Sequence, residues 1–180
     1  MPAIIGIVLL AVLLAVGLVS YNGLVKMRNQ CSEALSTMDV YLKQRFDLIP
    51  NLVSTVKGYA AHEAETLEKI VRARSSAADA AARMQAENQL TGAVRSVLAL
   101  GESYPDLKAS EGFVTLQKQL EKLETDIAEA RKYYNGCVRQ YNDKCMVVPS
   151  NLVASLFSFE PMPMYEIQDS AEWENVKVSF

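Results

Sequence analysis

Apolar residues fill the start of the chain without interruption, and later they recur at helical spacing. The run from Ala3 to Val19 holds no polar side chain, and the first charged side chain is Lys26. A helix from Pro2 to about Val25 rises ~36 Å, enough to span the ~30 Å of hydrocarbon in a bilayer. The pattern predicts a transmembrane anchor over residues 1–25. Its membrane-anchor residues are Ile4, Ile5, Val8, Leu9, Val12, Leu13, Val16 and Val19.

The flanks of this run favour an anchor over a cleaved signal peptide and suggest an orientation. Met1 and Pro2 lack the basic residues of a signal peptide, and AVG is a poor cleavage site. Lys26 and Arg28 follow the run, and an excess of basic residues marks the cytoplasmic side. We expect a single-pass protein of the cell (inner) membrane, with its N-terminus outside and the following domain in the cytoplasm.

Residues 26–148 carry apolar stripes that predict a bundle of four helices. The first continues the anchor, the second is predicted from about Leu48 to Ala82, and the third from about Ala86 to Ser103. The fourth follows Ser110 as its N-cap. Short connections join antiparallel neighbours. The sequence therefore predicts an all-α protein whose N-terminal transmembrane helix continues into an elongated antiparallel four-helix bundle.

The fourth predicted helix has the most regular stripe, with apolar residues at alternating steps of three and four. This spacing is typical of near-parallel packing against partner helices. Its helix-packing residues are Phe113, Leu116, Leu120, Leu123, Ile127, Tyr134 and Tyr141.

After the bundle, residues 149–160 are predicted to form an apolar C-terminal turn, and residues 161–180 an acidic flexible tail. The turn offers a second membrane or subunit contact through Leu152, Leu156, Phe157 and Phe159. Capping of the bundle's own core is an equal alternative. The tail is a candidate contact for a protein partner.

Polar residues surround Pro50, where a corner or sharp kink is predicted because a proline inside a helix costs ~3 kcal/mol. The helix-corner motif comprises Asp39, Arg45, Asp47, Pro50 and Asn51. We expect Asp47 to cap a new helix and Arg45 or Asn51 to satisfy free carbonyls. Recognition of a protein partner is the alternative role.

Residues with catalytic potential are sparse. His62 is the single histidine, and the HExxH zinc motif would need a second one at Thr66. The three cysteines, Cys31, Cys137 and Cys145, are widely spaced on apolar stripes, which indicates core thiols rather than disulfides. The net charge is −3 without a basic block. We therefore expect no enzyme activity, cofactor, metal or nucleic-acid partner.

Several motifs in order resemble the LemA family. They are YNGLV from Tyr21, DVYLKQRFDLIPNLV from Asp39, VKGYAAHEAETL from Val56 and VPSNLVASLFSFEP ending at Pro161. The resemblance covers Tyr21 to about Pro161 and implies a single-span membrane protein with an elongated antiparallel helical bundle. It brings no catalytic residues. Some related proteins belong to bacterial magnetosome systems, where they are linked to membrane formation.

The combination predicts a membrane-anchored, self-associating scaffold that organises or remodels membrane without catalysis. The expected partners are the lipid bilayer and further copies of the chain. The alternative is a membrane-tethered adaptor that recruits another membrane protein or a protease.

Overall fold

A computed structural model describes residues 1–75 and 80–165, and within these ranges the chain is helical without any strand. The predicted all-α class is confirmed. The elements are α1 Pro2–Val56, α2 Ala61–Ser75, α3 Ala80–Ala99, a 3-10 turn Leu100–Glu102, α4 Pro105–Lys108, α5 Glu111–Met146 and α6 Ser150–Leu156.

The chain divides into two compact units. The first unit contains Met1–Val40 and Ala128–Met164, and the second unit is built mainly from Tyr41–Ile127. Both long helices, α1 and α5, contribute to both units.

The first unit buries one face of α1 against the C-terminal part of α5. Leu24, Cys31 and Met38 on α1 are buried, as are Val138 and Tyr141 on α5. Their spacing by seven residues on α1 and by three on α5 keeps each set on one helical face, so the packing follows from the stripe in the sequence.

Residues 160–163 lie along α5 in this unit through hydrogen bonds to their backbone. The Tyr141 hydroxyl donates to the Glu160 carbonyl at 3.0 Å. The Asn142 amide donates to the Met162 carbonyl at 2.9 Å and accepts from the Met162 N–H at 2.8 Å. The predicted flexible tail therefore has its first residues bound to α5, while residues 166–180 lie outside the described residues.

The second unit has a continuous apolar core from α1, α2, α3, α4 and α5. The buried side chains include Ile49, Leu52, Val56, Leu67, Leu90, Val94, Leu107, Phe113 and Leu120. Gly101 sits at a close approach, because a Cβ on it would lie 2.9 Å from the Phe113 ring. The Phe113 N–H lies 3.5 Å from the Ser110 hydroxyl, which supports the predicted N-cap of α5.

The path of α1 corrects the predicted corner at Pro50. The helix passes through Pro50 and ends at Val56, so the prediction of a new helix at Asp47 is wrong. Pro50 is exposed, and α1 buries Ile49 and Leu52 on either side of it. This packing holds the helix together although proline lacks the N–H that would bond the Phe46 carbonyl.

The chain turns instead at residues 57–60. The N–H groups of Tyr59 and Ala60 both donate to the Val56 carbonyl at 2.9 Å, which closes the end of α1. Gly58 lies in this turn, and a glycine after an apolar stripe is a usual stop signal for a helix.

The predicted boundaries of the second and third helices are also wrong. A single helix was expected from Leu48 to Ala82, but residues 48–56 are the last part of α1, and α2 starts only at Ala61, after the turn. Residues 80–85, which precede the start predicted for the third helix at about Ala86, are helical and belong to α3, in agreement with their high helix propensity.

Candidate functional site

A buried network of charged residues lies at the centre of the second unit, with Arg45 at its middle. The Arg45 side chain is fully buried. Its Nη1 donates to the Thr91 hydroxyl at 2.5 Å and to the Glu124 carboxylate at 2.8 Å. Its Nη2 donates to the Glu87 carboxylate and, at 3.2 Å, to the Glu87 backbone carbonyl. One guanidinium thus binds α3 and α5 to α1.

Glu87 extends the network to α2. Its carboxylate, 2% exposed, accepts from Arg45 and also from the Arg74 Nε. The Arg74 guanidinium also lies over the Phe46 ring at 4.4 Å from the ring centre, a cation–π contact. Two arginines face two glutamates, Glu87 and Glu124, so the buried charges cancel. Four helices of the second unit are therefore joined by one neutral cluster.

This arrangement is suited to fixing helix positions rather than to reacting. A guanidinium is charged at every accessible pH and fits carboxylates in a planar, forked geometry. The cluster has neither a histidine nor a thiol, and Arg45 is closed to solvent. Within residues 1–75 and 80–165, no group of three metal-ligating side chains occurs.

The residues of the predicted helix-corner motif are not brought together around a site. Arg45 is buried in the network, whereas Asp39, Asp47, Pro50 and Asn51 are exposed on α1. Asp47 pairs with Lys43 at 2.6 Å one turn earlier on the helix surface, so it does not act as an N-cap.

Beside Pro50 lies an open groove of about 400 Å³ in the second unit. Ile49, Pro50 and Val53 form part of its apolar lining, and Lys57 and Glu68 are charged residues that line it. The groove lacks a pair of groups placed for acid–base or nucleophilic chemistry.

The first unit presents a large apolar surface. All eight predicted membrane-anchor residues are between 41% and 72% exposed. Within the described part of the chain, α1 is the one helix long and apolar enough to cross a membrane. The folded protein thus leaves these apolar side chains exposed, and their contact with water is unfavourable.

A second exposed apolar surface lies on and before α6. Leu152, Leu156 and Phe157 are 69%, 78% and 55% exposed. Val147 and Val148, which precede α6, are also more than half exposed.

Phe159 differs from its three partners in the predicted contact because it is 9% exposed. Its ring packs against Tyr21 of α1 with centres 5.6 Å apart, and Phe157 approaches the same tyrosine at 4.9 Å. Phe159 therefore packs α6 against α1 and adds little to the exposed apolar surface.

The structure also explains the end of α6. Ser158 adopts φ 56°, the left-handed region that glycine prefers. The Phe159 N–H donates to the Ala154 carbonyl at 2.9 Å across this residue, which is the Schellman pattern.

Burial perturbs two tyrosines and one cysteine of the first unit. Burial raises the pKa of Tyr141 to about 12, and the neighbouring Cys145 adds to the shift. Burial also raises the pKa of Tyr134, whose hydroxyl donates to the Pro163 carbonyl at 3.0 Å. Burial and the nearby Cys137 raise the pKa of Cys31, which keeps it a thiol of low reactivity. All three cysteines are free in the structure; Cys31 and Cys145 are buried and Cys137 is half-buried.

Sequence reasoning missed the partners of Arg45, although a signal was present. Arg45 and Arg74 occupy positions on the apolar stripes of their helices, and Glu87 lies three residues before the buried Leu90. A charged residue in a buried register requires a charged partner. Arg45 and Glu87 each lie in a buried register, which indicates that a buried ion pair exists. Because they are far apart in the sequence, their spacing does not show that they pair with each other.

The fold and these surfaces define an all-helical protein with one long apolar N-terminal helix, features that fit a membrane-associated protein. A model of the LemA family matches residues 34–180, so the chain belongs to the LemA family. The chain is also 25% identical over 161 residues to Protein LemA of Metamycoplasma hominis, across 87% of this chain and 72% of that protein. The match reaches Phe180, further than the motifs that ended at Pro161, so the C-terminal residues belong to the family pattern.

Proposed function

We propose that this LemA family protein is a membrane-anchored scaffold that self-associates and organises or remodels the bilayer. The observation that carries the proposal is the apolar part of α1, whose eight anchor residues stay exposed in the folded protein. Immersion in hydrocarbon removes this surface from water, at about 25 cal/mol for each Å². The basic residues Lys26 and Arg28 support a cytoplasmic position for the remaining chain.

The proposed architecture is an elongated antiparallel four-helix bundle attached to that anchor. Two contacts in the first unit support opposite directions for α1 and α5. A Cβ on Gly23 would lie 3.2 Å from the Lys144 side chain, and Cys31, later on α1, is close to Cys137, earlier on α5.

Self-association is supported by apolar side chains of the first unit that lie outside the anchor. Val40 and Tyr133 are 53% and 62% exposed, and Leu35 is 36% exposed. Side chains of this kind on helical rods are suited to contacts between copies that share a membrane.

The test is electron microscopy of the full-length protein in vesicles of phosphatidylcholine and phosphatidylglycerol. The expected result is ordered arrays or reshaped vesicles at the abundance found in cells. The matched control is Tyr133→Glu together with Val40→Glu, which keeps the anchor and should disperse the arrays. Isolated monomers on unchanged vesicles would refute the scaffold role.

Sidedness is tested with single cysteines in a chain whose three native cysteines are serine. Ala3→Cys should react with a membrane-impermeant maleimide in intact cells, whereas Glu33→Cys should react only after lysis. The reverse pattern would place the bundle outside the cytoplasm.

A second candidate function is an adaptor for another membrane protein or a protease, and the groove beside Pro50 favours it. Photo-crosslinking in cells from Ser54, an exposed residue that lines the groove, distinguishes the two roles. A foreign partner in stoichiometric amount, with little crosslinking between copies, would support the adaptor.

A further inference from the structure

We propose that α6 is an interfacial helix that inserts Leu152, Leu156 and Phe157 into the same leaflet from which α1 leaves the membrane. The inference rests on the proposed membrane anchor and deepens it by naming the ligand of the α6 surface. That ligand is the boundary between lipid headgroups and acyl chains, rather than a second subunit.

The depth of α6 follows from its contact with α1. A helix that enters the hydrocarbon at Ala3 and rises 1.5 Å per residue leaves it ~30 Å later, near Asn22. Tyr21 therefore lies at the boundary, where an amphipathic ring is favoured. The Phe157 ring centre is 4.9 Å from that of Tyr21, so Phe157 shares its depth.

The exposed side chains of α6 have the chemistry of that boundary. Leu152 and Leu156 lie four residues apart, on one helical face, and Phe157 follows. All three are more than half exposed, whereas Phe159 and Ala154 are buried and hold the helix in place. A helix in the membrane interface buries its apolar face at the boundary between headgroups and acyl chains, and this face of α6 is free to do so.

Basic residues lie at the adjoining headgroup level. Lys144 reaches the backbone of α1 at Gly23, two residues beyond Tyr21. Lys26 and Arg28 follow on the exposed part of α1. Cations near the apolar face favour an anionic lipid surface, which supports a bilayer rather than another protein as the occupant.

The test measures depth by fluorescence quenching in vesicles of phosphatidylcholine and phosphatidylglycerol with brominated acyl chains. The single native tryptophan, Trp173, is first replaced by phenylalanine. Phe157→Trp then places the reporter on α6. Leu10→Trp reports on the middle of the anchor, and Tyr133→Trp reports on an exposed position of α5.

The expected result is that Phe157→Trp loses most of its emission when bromine is close to the headgroup end of the acyl chain, and less when it is at the chain terminus. Leu10→Trp should show the opposite preference, and Tyr133→Trp should not be quenched. Quenching at Leu10→Trp without quenching at Phe157→Trp would overturn the α6 inference and leave the anchor intact.

Two further outcomes are also decisive. A blue-shifted Phe157→Trp emission that bromine does not quench would mean that a second copy or the protein's own core covers α6. Absence of quenching at Leu10→Trp would overturn the anchor itself, and with it the proposed function.

Discussion

The two units differ in the side chains that they expose and in the charges that they bury. The first unit leaves leucine, isoleucine, valine and phenylalanine on its surface, on α1 and α6. The second unit encloses Arg45 and Glu87 within an apolar core.

The difference shows that apolar side chains can stay exposed where the surrounding medium is itself apolar. It also shows that charged side chains can be buried where every charge has a partner of opposite sign. In the first unit the stabilising partner of the exposed side chains is the proposed bilayer. In the second unit the partners are other residues of the chain. The two units should therefore respond differently to the same kind of mutation.

The largest effect is expected from Arg45→Met. The change leaves Glu87 and Glu124 without their shared cation, and breaking a buried ion pair in this way costs about 3–5 kcal/mol of unfolding free energy. Urea unfolding in mild detergent, followed by circular dichroism, measures the loss.

Lys43→Met is the matched control two residues away on the same helix. It breaks only the exposed pair with Asp47, which should cost about 0–1 kcal/mol. Equal losses for the two variants would contradict the structural role of the buried network.

A smaller effect is expected from Tyr141→Phe, which removes the hydrogen bond to the Glu160 carbonyl and should cost about 1 kcal/mol at neutral pH. The same variant tests the pH dependence. The pKa of Tyr141 is raised from 10.0 to about 12 in the folded protein. Below pH 10 the phenol is neutral in both states, and its contribution is fully present.

Between pH 10 and pH 12 the unfolded chain loses the proton while the folded protein keeps it, so stability falls as pH rises through this window. Urea titrations at several pH values should show a shallower decline in Tyr141→Phe than in the natural sequence. The exposed Tyr59→Phe is the control and should leave the decline unchanged. If stability declines with pH as steeply in Tyr141→Phe as in the natural sequence, Tyr141 is not the cause of the decline.

Ser158→Gly should stabilise the first unit by about 0.5–1 kcal/mol, because glycine adopts the left-handed conformation without a Cβ penalty. Ser155→Gly, inside α6, should have the opposite sign and a similar size. Thermal unfolding of the two variants checks the difference, and destabilisation by both would mean that the turn at Ser158 is not formed in solution.

The smallest effect on stability is expected from Leu152→Ser combined with Leu156→Ser, because these side chains are 69% and 78% exposed. Both side chains are exposed, so the unfolding free energy in mild detergent should change by about 0.5 kcal/mol or less. Phe159→Ser, which removes a buried ring, is the comparison and should cost several times more. A large loss in the double variant would indicate that α6 caps the core of its own unit.

The sequence predicted most of the helical structure because its signals are local. The apolar run of α1 and the stripe of α5 are regular over many turns, and the seven stripe residues from Phe113 to Tyr141 are all buried. The break between α1 and α2 was misplaced because Pro50 is a local signal that packing overrides. Ile49, Leu52 and Val56 bury enough surface to carry the helix past the missing N–H.

The candidate sites show the same difference between local signals and contacts that are remote in sequence. Sequence reasoning identified the exposed apolar part of α1 and the exposed Leu152, Leu156 and Phe157, because these runs are recognised from composition and spacing alone. It assigned Arg45 to helix capping, because its partners Glu87 and Glu124 are 42 and 79 residues away. Phe159 was grouped with its neighbours because its contact with Tyr21 is equally remote in sequence.

The sequence alone determined that this chain forms helices, that α1 begins in a segment too apolar for water, and that the protein belongs to the LemA family. These properties depend on residues close to one another or on their order along the chain. Only the tertiary structure decided which charges meet around Arg45, where the chain turns after Val56, and which side chains of the C-terminal segment are covered. Each of these depends on contacts between distant residues, and the free energy of such contacts is not encoded in any single stretch of sequence.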